Sequence, residues 1–570
     1  MDRIDSKIKF VGLHAHSVAG SIFDAIGYPG AHMNFCYQNG GDALALTDHG
    51  NMNGLAYQVL HAKKMKEEGK DFKPIFGCEA YFIPSIDEWR EEYTRAMEDK
   101  KRARAAKKDA QSGATVEDEG NSKKTQDVLR RRRHLVLLAQ NQTGLNNLFK
   151  LVSESYKSEN FYRYPRIDYK LLKKYNEGII AASACLGGVY AGNYWENRDE
   201  GEEAVLEAMR ETTQNMVDIF GDRWYAEIQW NNIKEQHELN KYVVQTAQEM
   251  DVRLISTADS HYPTPDAWKD RELYKQLGWL GKGRPSWADE ESQLPAGVEE
   301  IGYELYPKNG DQIWESYKQY SESTGFEYDD DMVLKSIEET HHIAHDRIEA
   351  FLPDNTVRLP EFVVPAGFTA TQALVNYALE GLKDKGLHKN KEYTDRLRQE
   401  LNVIDERGFS KYFLTMKSIV DVATDMMLTG PGRGSAAGSL VAYALNITQV
   451  DPIKYDLLFS RFLRSDAEDY PDIDYDVSDS MALKEKLVEM WGEDCVAPIS
   501  NWNTLQLKSL IKDISKLYNI PFTEVNTVTS IMIREATPEA KRKHGIKAGI
   551  YAPTWEEVME FSPALRSYLN

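Results

Sequence analysis

The sequence predicts an α/β, barrel-like first half and a mostly helical second half. Two observations carry this. Between residue 8 and about 262, seven short apolar runs alternate with longer, polar, helix-like stretches, the rhythm of strands joined by crossover helices. After residue 262 the apolar side chains recur at helical spacing, as in MVLKSIEETHHIAHDRIE, TQALVNYALEGLKD and YTDRLRQELNVIDERGF. With 570 residues and 42% hydrophobic content, the chain can bury ordinary cores in roughly two to four domains.

The strand candidates, in order, are KFVGLHAH, GDALALTDH, KPIFGCEAYF, RHLVLLAQN, GIIAASAC, WYAEIQW and VRLISTADSH. Residues from about 86 to 133 interrupt them with charge-dense sequence that ends in four arginines before His134. Such composition marks a mobile surface insertion. Its basic clusters could touch DNA, a solvated loop being the plainer alternative. In the second half, TGPGRGSAAGSLVAYALNI opens a helix, PDIDYDV follows about forty residues later, and the last hundred or so residues have helical patterning.

Several classes are excluded or disfavoured. The start, MDRIDSKIKF, has no apolar stretch of signal-peptide length, and no run of about 18 apolar residues occurs. No membrane partner and a cytoplasmic location are therefore expected. Four dispersed cysteines without CxxC spacing suggest neither a disulfide framework nor a zinc ribbon. The net charge of −21 opposes nucleic-acid binding, unless the acidic residues face outward or surround metal while basic residues line a local channel.

In LHAH, His14 and His16 stand at i and i+2, so on a strand both project to one face. Two buried core histidines would explain that pair equally well. Yet nearly every later strand candidate ends in a potential ligand: Asp48 and His49, Glu79, His134, Cys185, then Asp259 and His261. Ligands delivered from successive strand ends converge at one face of a barrel.

The segments LHAHS, TDHGNMNG, GCEAYF, HLVLLAQN, SACLGG and TADSHY resemble the PHP (polymerase and histidinol phosphatase) domain. The resemblance implies a distorted seven-stranded barrel holding up to three metal ions. It puts the ligands at His14, His16, Asp24, His49, Glu79, His134, Cys185, Asp259 and His261, and leaves Asp48 outside the set. Imidazole, carboxylate and thiolate together suit Zn²⁺, Mn²⁺ or Fe better than Mg²⁺ or Ca²⁺. Metal-dependent 3′ to 5′ hydrolysis of DNA ends is the implied activity, a purely structural metal site the alternative.

GPGRGSAAGSL puts glycines and serines before a helix, where free N–H groups can meet phosphate. It lacks the lysine of a Walker A motif. Asp472, Asp474 and Asp476 alternate, so on a strand they share a face, and divalent metal would relieve their repulsion. Together, GPGRGSAAGSLVAYALNITQVDPIKYDLLFSRFL and PDIDYD closely resemble the palm of C-family replicative DNA polymerases.

That resemblance implies an α+β palm of the polymerase-beta-like nucleotidyltransferase type. Asp472 and Asp474 would hold Mg²⁺ for in-line transfer, Gly434 and Ser435 would meet the triphosphate, and Arg461 would supply positive charge. A second arginine usual in the family falls at or near Ala467, with Arg464 a potential substitute. Lys508, Lys512 and Lys516 form a stripe on a helix that would begin a thumb gripping duplex DNA.

The expected organisation is a metal-binding domain over 1–275, a palm with helical lead-in over 276–503, and an incomplete helical thumb over 504–570. The family's third catalytic aspartate and its fingers would then come from a second polypeptide or a missing segment, which would also provide any sliding-clamp contact. Primer-template DNA and deoxynucleoside triphosphates are the implied substrates, in a bacterial or phage setting. The alternative is a stand-alone PHP-type phosphoesterase with a non-catalytic DNA-binding appendage.

Overall fold

The computed structural model describes residues 3–109, 128, 130–279, 304–356, 362–466, 470–499, 506–517, 520–546 and 551–569. Two compact units emerge, one of residues 1–354 with 505–570 and one of 355–504. The first boundary falls after 354, beyond the expected 275, because Ile313 and Tyr317 of the helix Gly310–Thr324 and Val333 and Ile337 of Asp330–His342 join the core around the sheet.

The first unit is built on a mixed sheet: β1 Ala43–Leu46, β2 Lys73–Phe82, β3 Arg133–Ala139, β4 Phe161–Tyr162, β5 Tyr164–Ile167, β6 Ile179–Ala182, β7 Trp224–Gln229 and β8 Arg253–Thr257. The main path runs β1-β2-β3-β6-β7-β8, with the short β4–β5 hairpin attached beside β2. β3 is antiparallel to both neighbours, whereas β1–β2, β6–β7 and β7–β8 are parallel. A wholly parallel sheet is thus not formed. The excursion after β2 returns the chain beside the point where it left, with Phe82 opposite Arg133.

KFVGLHAH, expected as the first strand, is an extended segment with bridges at its ends. Gly12 pairs with Leu44 and Ala15 with Ser260. Its groups bond on both sides, Gly12 O and Ala15 O accepting from Ala45 and Thr47, while His16 N–H donates to Ser260 O and His14 O accepts from Ser260. The segment thereby joins β1 to the end of β8 and closes the curled sheet into a distorted barrel.

Alternation along the strands divides two cores. Val11, Leu13, Ala43, Ala45, Ile75, Val136, Leu138, Ile180, Ala182, Tyr225 and Ile255 fill the barrel interior. Phe76, Leu135, Leu137, Ile179, Ala181, Trp224 and Ile228 face the surrounding helices. Burial on both faces explains why these strands are near-continuous apolar runs.

The expected 86–133 insertion begins with regular structure. Ile86–Asp109 is a helix whose first turns bury Ile86 and Trp89, and Trp89 Nε1–H donates to Val128 O at 2.9 Å. Residues 110–127 and 129 lie outside the described residues. At the other end of this unit, the helices Leu507–Leu517, Phe522–Lys543, Trp555–Phe561 and Pro563–Leu569 share a small core of Met532, Ala536, Val558 and Leu565.

The second unit is helical, with Ala370–Asp384, Lys391–Glu406, Ser410–Met426 and the short Leu440–Ala444 packed around Leu374, Leu397, Phe413 and Leu440. Its β pairing among the described residues is one antiparallel bridge, Thr429–Val477. No helix among the described residues is long and apolar enough to cross a membrane.

Candidate functional site

The inward-facing parity of the strands delivers the first constellation. Glu79 continues the Ile75 face of β2, His134 the Val136 face of β3, Glu227 the Tyr225 face of β7, and Asp259 the Ile255 face of β8. Because β3 runs backwards, its first residue arrives at the end where the parallel strands finish. The histidines of the 12–16 segment enter from the seam.

Glu79 sits in the middle, with no side-chain exposure. Its Oε1 lies 3.2 Å from His14 Nε2, 3.1 Å from His134 Nδ1 and 3.8 Å from Cys185 Sγ. Its Oε2 lies 2.5 Å from His49 Nδ1 and 3.6 Å from His16 Nε2. Asp259 Oδ1 stands 3.3 Å from His14 Nε2, 3.0 Å from His16 Nε2 and 3.5 Å from His261 Nδ1. Asp24 Oδ2 reaches His49 Nε2 at 3.0 Å and His261 Nε2 at 3.7 Å. All nine expected ligands thus meet in one cluster.

These separations fit shared ions, because two donors each about 2.1 Å from one ion lie roughly 3–3.5 Å apart. Despite these short separations, the buried atoms His14 Nε2, His16 Nε2, His49 Nδ1, Asp24 Oδ1, Glu79 Oε2 and Asp259 Oδ1 meet no partner in hydrogen-bonding geometry. Buried polar groups left so are rare unless an ion or water completes them. Three overlapping donor triads have metal-binding spacing: His14, His16 and Asp259; His16, His49 and His261; His49, Glu79 and His134.

The electrostatics agree. Burial lowers His16 to about 3, helped by His49 and His261, so it is neutral and able to ligate. Burial alone would lower His14, but Asp259, Glu227 and Glu79 raise it well above its usual value. Burial opposes ionisation of Glu79 too, yet His134, His49 and His14 hold it well below the carboxylate range. Burial, then Asp259 and Glu79, push the Cys185 thiol up. A cation is the natural counterpart to this charge. Asp259 also occupies a left-handed backbone conformation, φ 48°, strain of the kind that clusters at functional sites.

Two carboxylates beside the ligands act differently. Glu227, overlooked in the sequence, accepts from His14 Nδ1 at 2.7 Å, Thr257 Oγ1 at 2.5 Å and Gln229 Nε2 at 3.1 Å. It fixes the imidazole so that Nε2 faces the cluster. The available signal was a glutamate inside the apolar run WYAEIQW. Asp48 accepts from Ser17 N–H, Ser17 Oγ and Ser21 Oγ at 2.6, 2.9 and 2.9 Å, which occupies it structurally.

The second constellation lies in the 355–504 unit. Residues 471–476 are extended but not a strand, with Asp472 and Asp476 exposed and Asp474 half-buried. Only the far end pairs, Gly430 N–H donating to Asp476 O and Ser478 N–H to Leu428 O. The expected three-aspartate strand face is therefore absent; Pro471 has no N–H to give a ladder.

The glycine loop does meet the aspartates. Gly434 has φ +63°, and a Cβ there would sit 2.3 Å from Asp474 Oδ2. Arg433 Nη1–H donates to Asp476 Oδ1 at 3.2 Å. Ser435 opens the turn Ser435–Gly438, and Arg461 ends the exposed turn Phe459–Arg461.

The following helix end is not free for phosphate, contrary to expectation. Ser439 Oγ accepts from Ala442 N–H at 3.1 Å, and buried Glu400 Oε2 accepts from Val441 N–H at 3.0 Å and Ser439 Oγ–H at 2.9 Å. Arg396 Nε, 2.7 Å from Glu400 Oε1, completes this internal network. Arg464 is held by Asp466, and Ala467 lies outside the described residues.

The lysine stripe is partly engaged. Lys512 Nζ donates to Asn526 Oδ1 at 2.6 Å and Lys516 Nζ pairs with Asp513 at 2.6 Å. Lys508 is half-buried on the same helix, so the three do not form a freely presented row.

Comparisons with known proteins match both constellations. A PHP domain family model matches residues 12–231, and a model described as bacterial DNA polymerase III alpha NTPase domain matches 372–565. The DNA polymerase III subunit alpha of Aquifex aeolicus is 33% identical over 92% of this chain and 41% of its own length. That of Borreliella burgdorferi is 32% identical over 92% of this chain and 40% of its own. A solved amidohydrolase from Chromobacterium violaceum aligns with 46% of this chain and 96% of its own at 14% identity, with a TM-score of 0.23. The chain spans about two-fifths of the length of these curated relatives. A PHP domain match followed by a polymerase III alpha NTPase domain match, with this identity running through both, is what the chain shares with the bacterial DNA polymerase III alpha subunits.

Proposed function

We propose that this chain supplies the phosphoesterase centre and part of the nucleotidyl-transfer site of a C-family DNA-directed DNA polymerase. The observation that carries the first half is the convergence of nine donor side chains in one buried cluster, with His14, His16, His49, His134 and Cys185 gathered around Glu79. His14, His16, Asp24, His49, Glu79, His134, Cys185, Asp259 and His261 would hold Zn²⁺, Mn²⁺ or Fe, the mixed donor set disfavouring Mg²⁺. Such ions supply Lewis acidity and a bound water of lowered pKa. The protein fixes the donors, and Glu227 holds His14 in the ligating orientation. Hydrolysis of a DNA 3′ end is the reaction this supports.

In the transfer site, Asp472 and Asp474 would hold Mg²⁺. The absent side chain of Gly434 lets backbone approach Asp474, so Gly434 and Ser435 N–H groups can donate to a triphosphate beside the metal-binding carboxylates. Arg461 adds charge, and Lys508, Lys512 and Lys516 would contact the primer-template backbone, Lys512 and Lys516 after leaving Asn526 and Asp513. The part of the relatives that lies outside this sequence would complete the pocket and make any clamp contact.

The test is a complex reconstituted with that remaining part. Asp472→Ala or Asp474→Ala should abolish primer extension while DNA binding persists. Asp259→Asn should abolish Mn²⁺- or Zn²⁺-dependent 3′ to 5′ hydrolysis, which Asp472→Asn should leave intact. Hydrolysis that survives Asp259→Asn would overturn the assignment of that centre.

A further inference from the structure

At the end of the barrel away from the nine-residue cluster, a second group of donors has no role in either site. Asp42 immediately precedes β1, whereas His49 lies just beyond its far end. About 3.3 Å per residue of extended chain puts these two positions roughly 20 Å apart. His345 Nε2 stands 3.1 Å from Asp42 Oδ1, and the His341 and His345 rings are 4.3 Å apart, tilted at 41°. One donor atom from each of the three side chains lies within 4.8 Å of the others.

We propose that Asp42, His341 and His345 form a separate divalent transition-metal site of the zinc class, tying the entrance of β1 to the helix Asp330–His342. Two imidazoles and a carboxylate are a donor set for zinc-type ions, with a remaining position for water or an outside ligand. The donors are not on a loose surface. His341 is the penultimate residue of the helix, and His345 lies in the π-helical turn Ile343–Arg347, an irregularity often found at functional positions.

Ile343, Ala344 and Ile348 from that turn are buried in the barrel interior, which fixes the backbone carrying His345. Lys73 Nζ donates to Ala344 O and Ile348 O at 2.6 and 2.5 Å, holding the same turn against β2. His342, between the two donors, turns away and pairs with Asp346 at 2.7 Å. The other charged groups near His341 are Lys9 and Asp346. A shared ion requires these donors, now within 4.8 Å of one another, to close to about 3–3.5 Å.

The alternative is an Asp42–His345 ion pair with His341 merely adjacent, and the experiment separates the two. The full chain is dialysed against micromolar Zn²⁺ and its metal content measured. His341→Ala and His345→Ala should each contain one equivalent less than wild type, with unchanged circular dichroism, while the metal lost on changing His14 and His16 should be additional. Equal content in wild type and both variants would overturn the proposal. Should either variant fail to fold, wild-type protein is treated with diethyl pyrocarbonate with and without Zn²⁺ and mapped by mass spectrometry. Zn²⁺ should slow modification of His341 and His345 at least several-fold but leave His342 unchanged; equal slowing at all three, or none, refutes the site.

Discussion

Replacing Glu227 by Gln tests whether the cluster depends on a residue that touches no ion. Gln keeps the shape, but removes the charge that lies 2.7 Å from His14 Nδ1. It also puts an amide N–H where either His14 or the unpartnered Oε2 position must receive it. Carboxylate partners of metal-bound histidines are worth about 10- to 100-fold in metal affinity, or roughly 1.4 to 2.8 kcal/mol. A buried donor without a partner costs about 1–3 kcal/mol more in folding. Competition against a chelator of known affinity should therefore show the most weakly held equivalent released at about tenfold lower chelator, with a reduced Tm in the loaded protein. Glu227→Asp, which keeps the charge, should recover part of the affinity. Wild-type affinity in Glu227→Gln would refute the idea that this carboxylate orients His14.

Other outcomes follow from the same geometry. In chelator-stripped protein, the depressed pKa values of Asp24 and Glu79 give stability present above about pH 4.5 and lost as pH falls through their folded values. The raised values of His14 and His49 give stability present below about pH 6.5 and lost as pH rises through theirs. Thermal melts should thus peak between those limits, and Mn²⁺ or Zn²⁺ should flatten the alkaline decline; a stripped chain more stable at pH 9 than at pH 6 would contradict this. Gly434→Ala forces a left-handed alanine, costing about 1–2 kcal/mol, and displaces Asp474. Extension by the reconstituted complex should fall at least tenfold, with a melting shift of only a few degrees. Glu400→Ala leaves Arg396 and two N–H or O–H donors without their buried acceptor, and should destabilise the second unit by about 3 kcal/mol in a urea titration.

What the sequence made legible was periodic. HxH at i, i+2 and ligands at successive strand ends specified a convergent cluster, because barrel strands carry side chains inward at every second position. Glu227 escaped because a single carboxylate in an apolar strand looks like an interruption rather than a support, until His14 is seen against it. The antiparallel course of β3 was hidden for a different reason: the direction of a strand depends on where a long excursion returns, and apolar alternation is the same in both directions. Likewise the glycine loop announced a close backbone approach, but not that Glu400, some forty residues earlier, would already occupy the adjoining helix end. Helical spacing identified the lysine stripe, yet Asn526 and Asp513 are neighbours that only packing and side-chain rotamers supply.

The return of β3 beside β2 also bears on how such a chain can vary. Phe82 and Arg133 are directly opposed, so everything between them hangs from two adjacent points of the barrel, much as a long hairpin tip would. Loop-closure entropy grows only slowly with length, so residues can be added or removed there without shifting strand register or the positions of Glu79 and His134. The freedom is bounded at both ends. Trp89 is buried near the exit and bonded to Val128, and the fully buried Arg166 stacks on Trp89 and donates to Arg131 O at the return. Changes of length should therefore accumulate between Trp89 and Val128, making this the natural place to graft a tag, a reporter or a new binding module onto the metal-bearing barrel.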